Sequence, residues 1–448
     1  MMNKICLIWI GAAILGVVTV TGVAQGETLR EAVQSMVETH PDIRSVVYNR
    51  LARDQEIKQA RAGYFPELGV NAWAGVREYD KPINDNLTPW QFTLSLRQNV
   101  FRGFQDVKEV DRQQSRVNSE AYVLQGVSED TALDAARVYI EVLRKQEFVE
   151  LANENLKLHQ RIADQIRLRS ESGVDRKADM NQVESRLALA QSNLIVTETN
   201  LVDAETNYQA VVGNMPANLV KPEVPAESLP GSLEEAQQKA LEGHPTLKQA
   251  EADLQARYAQ KDVADAPFWP IVDIEVDKNW YDELDTGLNT ETDELTALVR
   301  VRYNFFKGWK DRARKVETTY LVSEAREVRN NSHRQVVELV RLAWMASKAA
   351  NDRQQYLEKR VESSRETAQS YSKQWDIGKR TLLDVLDAEA ERIEAKKELI
   401  SSQYDGLLAQ YRILNAMGGL VHTLGLKWPE EAYVDDNEKL ADERNDKT

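Results

Sequence analysis

The sequence contains the same pattern twice, and this duplication constrains the fold more than any other feature. The second copy begins 204 residues after the first, since Thr28 in one copy corresponds to Ser232 in the other. The matching segments are residues 28–32 with 232–236, 40–41 with 244–245, 64–66 with 268–270, and 98–104 with 303–309. This period is far longer than that of a solenoid repeat. The sequence therefore predicts two similar halves, residues 27–220 and 221–420, related by a pseudo-twofold axis.

Each half has the same order of predicted elements. A Ser or Thr N-cap, with an acidic residue three places later, predicts a helix of about 35 residues at the start of each half. Two segments with alternating polarity follow, and then a long stretch without proline. The predicted ranges are helices at 28–62 and 232–266, strands at about 67–101 and 271–305, and long helices at about 103–213 and 308–417.

The long stretches have coiled-coil periodicity, because apolar residues recur at alternating steps of three and four. One series begins Ala135, Val138, Val142, and another begins Leu383, Leu386, Ala390. Such sustained heptads predict packed helical pairs rather than a globular core. The only breaks we expect are near Gly173 and Gly378. A helix from Gly103 to Ser172 would span roughly 100 Å, so each half should form a rod.

The alternating segments have an apolar face and a polar face, with the period of transmembrane β-strands. Aromatic residues surround them, eight in each of the windows 64–104 and 268–309, as expected at a lipid boundary. We therefore predict four membrane strands, with soluble β-hairpins as the alternative. The charged residues of the polar face, predicted to line a barrel lumen, are Arg97, Asp273, Glu275, Asp277, Arg300 and Arg302.

Four strands cannot close a barrel, and open strand edges are not tolerated in lipid. Two copies would give eight strands with a filled interior, whereas three would give twelve strands and a water-filled lumen. We therefore predict an α+β membrane protein. Its duplicated unit of long coiled-coil helices and two β-hairpins would form a homotrimer, with a twelve-stranded barrel in contact with lipid.

The two ends of the chain predict an exported protein with a loose tail. The apolar block from Ile5 to Val20 and the small residues before Glu27 are typical of a signal peptide, residues 1–26, with a retained anchor as the alternative. Cys6 lies inside this segment, so the mature chain has no cysteine for disulfide or thiol chemistry. The acidic composition of residues 421–448 predicts a poorly ordered tail.

Composition argues against several classes of function. The net charge of -15, from 57 basic and 72 acidic residues, disfavours nucleic acid as a partner. A charged fraction of 29% and a mean hydropathy of -0.53 exclude a polytopic helical membrane protein. The five histidines lack metal-ligand spacing, and no nucleotide-binding or hydrolase motif is present. We predict no enzyme, no metal site and no cofactor.

Three motifs in this duplicated framework resemble the TolC family of outer-membrane channel-tunnels. They are the strand-to-helix corners at residues 101–104 and 306–309 and the segment 378–388, Gly-Lys-Arg-Thr-Leu-Leu-Asp-Val-Leu-Asp-Ala. The resemblance covers residues 28 to about 420. It implies a trimer whose barrel lies in the outer membrane and whose helical tunnel crosses the periplasm. It also implies a periplasmic adaptor protein and an inner-membrane transporter, of the ABC or proton-driven type, as partners.

The resemblance also implies roles for residues at the periplasmic tip. Asp384 and Asp387 match acidic residues that form rings at the pore constriction, and their spacing puts both on one helix face. The alternative is a purely structural role, in which these acids only complement the helix dipole. Arg380 and Asp179 match members of a closed-state lock, in which Trp375 stands where the family has tyrosine. We expect a lock based mainly on Arg380 and Asp179.

The sequence therefore predicts a passive outer-membrane exit duct of a tripartite export system. Type I protein secretion is favoured by the overall resemblance and by the absence of a cysteine for a lipid anchor. Small-molecule efflux through a duct of the same family remains an alternative. A soluble periplasmic coiled-coil adaptor without a pore is the alternative from another class.

Overall fold

A computed structural model describes residues 26–80, 85–171, 177–282 and 291–434. The helices are α1 (Leu29–Thr39), α2 (Pro41–Ala62), α3 (Gln105–Glu171), α4 (Lys177–Val212), α5 (Leu233–Gly243), α6 (Pro245–Val263), α7 (Lys310–Asp376), α8 (Leu382–Ala416) and α9 (Leu420–Thr423). The strands are β1 (Glu67–Ala74), β2 (Arg77–Tyr79), β3 (Asp85–Leu87), β4 (Trp90–Arg102), β5 (Ile271–Asp282) and β6 (Thr292–Arg302). Within these ranges, no helix has both the length and the apolar character needed to cross a membrane.

The prediction of one helix of about 35 residues at the start of each half was wrong. The structure has two helices in each half, α1 with α2 and α5 with α6, and the break falls at His40-Pro41 and His244-Pro245. Proline cannot continue a helix, and it holds the preceding residue in an extended conformation. Each histidine then caps the second helix, because its Nδ1 accepts the backbone N–H of Asp42 or Thr246 at 3.2 Å.

The four long strands form one antiparallel sheet in the order β1-β4-β5-β6. The helices that continue these strands pack in the same order, since α2 contacts α3, α3 contacts α6, and α6 contacts α7. Each half therefore contributes one strand pair and one adjacent helix pair. The short strands β2 and β3 pair with each other beyond the end of β1.

Two glycine corners connect the sheet to the long helices, as the repeated sequence motif predicts. Gly103 and Phe104 have φ angles of 59° and 63°, and Gly308 and Trp309 have 59° and 65°. Glycine adopts this left-handed conformation without a steric cost, whereas Phe104 and Trp309 do not. At Gly103 a Cβ atom would lie 2.5 Å from the backbone oxygen of Ala266, so this corner also requires the absence of a side chain.

The largest apolar core lies midway along the rods. It joins α1 to α3, α4, α8 and α9, and its fully buried members include Met36, Tyr139, Tyr208 and Leu414. The expected loose packing from residue 421 onward was wrong for residues 421–434. Val421 and Ala432 have no exposed surface, because the apolar residues of this segment pack on the rods despite its acidic composition. The remainder of the predicted tail, residues 435–448, lies outside the described residues, as do residues 1–25 of the predicted signal peptide.

Candidate functional site

Asp273 is the centre of an ion-pair cluster on the polar face of the sheet. It lies on β5 and is only 1% exposed. Arg97 of β4 donates to its carboxylate at 2.9 Å, Asn99 of β4 donates at 2.7 Å, and Arg302 of β6 also pairs with it. Residues on the two neighbouring strands therefore converge on one buried carboxylate of β5. Such a carboxylate is tolerated because several charged donors satisfy it.

Glu275 extends this cluster one step along β5. Its carboxylate lies 2.7 Å from Arg300, 3.5 Å from Arg302 and 3.8 Å from Arg97. Asp277 lies further along the same face, opposite Ser95 and Thr296, and forms no ion pair among the described residues. Five of the six predicted lumen residues are thus brought together in one network.

The charges of the six predicted lumen residues are balanced. The predicted set contains three arginines and three acids, and no residue of the network lacks an oppositely charged neighbour. Sequence reasoning missed Asn99, although its position two residues after Arg97 puts it on the same face. A polar ladder continues the face, because the Thr93 hydroxyl donates to the Asn279 side chain at 2.7 Å.

Apart from an ion pair between Lys278 and Asp293, the opposite face of the sheet is mainly apolar, and it is exposed in a single protomer. Leu68 of β1 is 70% exposed and Val299 of β6 is 66% exposed, and both lie on strands with only one neighbour. Aromatic side chains cluster where the sheet meets the helices. Phe101, Phe104 and Trp269 pack edge-to-face with centroid separations of 5.3 to 6.5 Å. An apolar band bounded by aromatic residues is the pattern of a membrane strand surface.

At the other end of the rods, Asp384 forms a capping box at the start of α8. Its carboxylate accepts the Thr381 hydroxyl at 2.8 Å and the Thr381 backbone N–H at 3.1 Å. These hydrogen bonds hold the pKa of the Asp384 carboxyl below its usual range, so the residue is ionised at neutral pH. Asp384 therefore caps the start of α8, as the alternative interpretation predicted. It also presents a negative charge at the tip.

Within one protomer, the described residues of the expected lock do not contact one another. Arg380 stays on its own turn, where its guanidinium lies 4.1 Å from the centre of the Tyr371 ring and donates to Gln374 at 3.0 Å. No ion pair joins Arg380 to Asp179 in the described part of the chain. Trp375 is 9% exposed in the apolar tip cluster, and Arg169 lies 4.9 Å above its ring. Any link from Arg380 to Asp179 must therefore cross between protomers or form in another state.

Asp387 has a partner that sequence reasoning missed. Arg186 of α4 donates to its carboxylate at 2.9 Å, although the two residues are 201 positions apart. Arg186 lies one heptad after Asp179, which could have indicated that both face the same side of α4.

Comparisons with known proteins agree with this architecture. A profile described as "Outer membrane efflux protein" matches residues 32–214 and 236–419, and these two segments have the spacing of the internal repeat. The chain is 24% identical to the outer membrane efflux protein BepC of Brucella suis, covering 96% of this chain and 95% of that protein. It is 23% identical to the outer membrane protein TolC of Escherichia coli, covering 94% and 87%.

The fold also agrees with a crystal structure of the outer membrane protein VceC from Vibrio cholerae. The TM-score is 0.75 at 16% identity, covering 87% of this chain and 96% of VceC. The alternative of a soluble adaptor without a pore was therefore wrong, and the predicted TolC-like fold and outer-membrane location are confirmed. The chain belongs to the outer membrane efflux protein family, and it is a passive outer-membrane channel that extends through the periplasm rather than an enzyme.

Proposed function

We propose that three copies of the chain form the exit duct of a tripartite export system whose main cargo is secreted protein, as in type I secretion. A periplasmic adaptor and an inner-membrane transporter would deliver the cargo and supply the energy. The observation that carries the proposal is that one chain contains both a sheet with one polar and one apolar face and two helices of 67 residues. Each such helix is about 100 Å long, which suits a conduit through the periplasm.

The edges of the sheet support a closed ring of copies. Strands β1 and β6 each have one neighbour in the protomer, and their outer backbone groups would be unsatisfied in lipid. Pairing β6 of one copy with β1 of the next removes every edge. Three copies then give a barrel of twelve strands with the Asp273 network facing an aqueous lumen.

The helical layer supports the same ring. Because the helices follow the strand order, the free edges of this layer are α2 and α7, directly below β1 and β6. Trp309, Val316 and Tyr320 form an exposed apolar stripe on α7, and Tyr320 is 72% exposed. Tyr48 and Leu51 are exposed apolar residues of α2 at a comparable depth below the sheet. In the ring, the stripe of one copy would pack against α2 of the next.

The cargo assignment rests on a narrower argument. Residues 27–448 contain no cysteine to which a lipid anchor could be attached. This feature modestly favours a protein-secretion duct. A passive duct receives its cargo from its transporter, so small-molecule efflux through the same conduit is the competing assignment.

Two experiments test the proposal. The purified mature protein, reconstituted in planar bilayers, should form discrete channels, and its mass in detergent should be that of a trimer. Folded protein that is monomeric and gives no conductance would contradict the duct.

Deletion of the gene should remove one or more proteins from the culture medium and leave resistance to dyes and detergents unchanged. The reverse pattern, sensitivity with normal secretion, would assign the duct to efflux.

A further inference from the structure

The tip has a cross-link between the two helical hairpins that the predicted lock does not include. Arg186 of α4 lies 2.9 Å from Asp387 of α8, and this is the only ion pair between these two helices in the described residues. The two side chains come from different halves of the duplicated chain. Asp387 is one of the two acids expected at the pore constriction.

We propose that Arg186 determines the ionic selectivity of the tip constriction by compensating the charge of Asp387. This inference rests on the proposed function, because it requires Asp387 to face a pore. In a trimer, three Arg186 guanidinium groups would lie beside the three Asp387 carboxylates. The ring of Asp387 carboxylates would then produce only a weak net electrostatic potential. Arg186 would thereby limit the affinity of the constriction for cations.

The exposure of the pair argues for this electrostatic role over a mechanical one. The side chains of Arg186 and Asp387 are 34% and 59% exposed. An exposed ion pair contributes little to stability, so this pair cannot hold the tip closed by itself. Apolar packing of α3, α4, α7 and α8 around Trp375 and Leu386 already joins the hairpins there. The charge of Arg186, in contrast, acts over the screening length of about 8 Å in physiological salt.

The charged groups around the pair leave Arg186 as the main partner of Asp387. Glu389 is paired with Arg392 at 2.6 Å, and Arg380 lies beside Asp384 at 3.9 Å. His159 of α3 is near Arg186 but buried, and burial lowers the pKa of its imidazole. It is therefore neutral at pH 7 and does not replace the arginine charge. Each acid of the constriction thus has one arginine within 4 Å.

The test compares channels of the wild type and of Arg186→Ala in planar bilayers under a KCl gradient. Removing the guanidinium should shift the reversal potential toward stronger cation selectivity. Half-maximal block by a trivalent cation, hexaamminecobalt(III), should occur at a concentration lower by about tenfold or more, because three uncompensated carboxylates attract a trivalent ion strongly. Arg186→Lys should stay near the wild type, and Arg186→Ala combined with Asp387→Asn should largely abolish the gain in block.

Lys396→Ala is the matched control. Lys396 also pairs across the hairpins, with Glu154 at 2.8 Å, but it lies nine residues beyond Asp387 on α8, about 14 Å away. Its loss should leave selectivity and block unchanged. If the wild type forms channels and Arg186→Ala has the same selectivity and the same block as the wild type, the proposed role of Arg186 is wrong. That result would not contradict the proposed duct. Folded wild-type trimers that form no channels would instead overturn the proposed function and, with it, this inference.

Discussion

Glu129 accepts a hydrogen bond from the indole N–H of Trp428 at 3.0 Å, and this contact secures the C-terminal segment to α3. The same carboxylate accepts the backbone N–H groups of Leu420 at 2.7 Å and Val421 at 3.3 Å, which begin α9. Glu129 is 2% exposed, so one buried side chain satisfies three donors that would otherwise lack partners. Residues 421–434 are therefore part of the folded rod.

The stability of this junction should depend on pH. Burial raises the pKa of Glu129 from its ordinary value of 4.5 to about 7. The folded state therefore holds a proton that the unfolded state releases between these values. The stabilisation from this site is complete below pH 4.5 and is lost as pH rises through 7. The thermal midpoint of the detergent-solubilised protein should fall over this interval, and Glu129→Gln should flatten the slope. An unchanged slope in that variant would contradict the assignment.

Replacement of Asp273 should destabilise the barrel. Asp273→Asn removes the buried carboxylate that Arg97 and Arg302 share. Both arginines are nearly half exposed and keep Glu275 nearby, so we expect a cost of about 1.5–3 kcal/mol, that of a hydrogen bond to a charged group. We expect trimers that dissociate at a lower temperature on gels run in SDS. Asp277→Asn is the matched control, since Asp277 has no ion pair in the described ranges, and its trimers should resist heat as the wild type does. Equal effects of the two substitutions would argue against a special role for the network.

A charge in the α7 stripe should prevent assembly. Tyr320→Asp places a carboxylate where the proposed trimer buries an apolar side chain against α2 of the next copy. Native mass spectrometry in detergent should detect monomers for this variant and trimers for Tyr320→Phe. A trimeric Tyr320→Asp variant would require another position for the copies.

The lock predicted at the tip should respond to loss of Arg380. In the protomer this arginine contacts Tyr371, Gln374 and Asp384, and its expected acceptor Asp179 is not among them. If Arg380 reaches the acidic residue of a neighbouring copy, Arg380→Ala should raise the single-channel conductance, because the closed tip would lose a link from each copy. Gln374→Ala, which removes only the contact within the turn, serves as the comparison. Conductance equal to that of the wild type would exclude the lock.

Much of the architecture could be predicted from the sequence because its signals are local and repeated. Heptads predicted the long helices α3, α4, α7 and α8, and alternation predicted the four main strands and the faces that carry Arg97 and Asp273. The corners at Gly103 and Gly308 were predicted from the repeated motif, and the structure gives the physical reason for glycine there, a left-handed backbone. The break at His40-Pro41 was also local, and the helix pattern on both sides concealed it.

The sequence by itself determined the duplication, the type of each main element and the side of each strand that is polar, because these depend on periodicity along the chain. Only the tertiary structure decided which charges neutralise one another. Arg186 meets Asp387 across 201 positions, Glu129 meets Trp428 across 299, and neither pairing leaves a local pattern. Such contacts depend on how the rods pack side by side, since a carboxylate is compensated by whatever charge packing brings within a few ångströms.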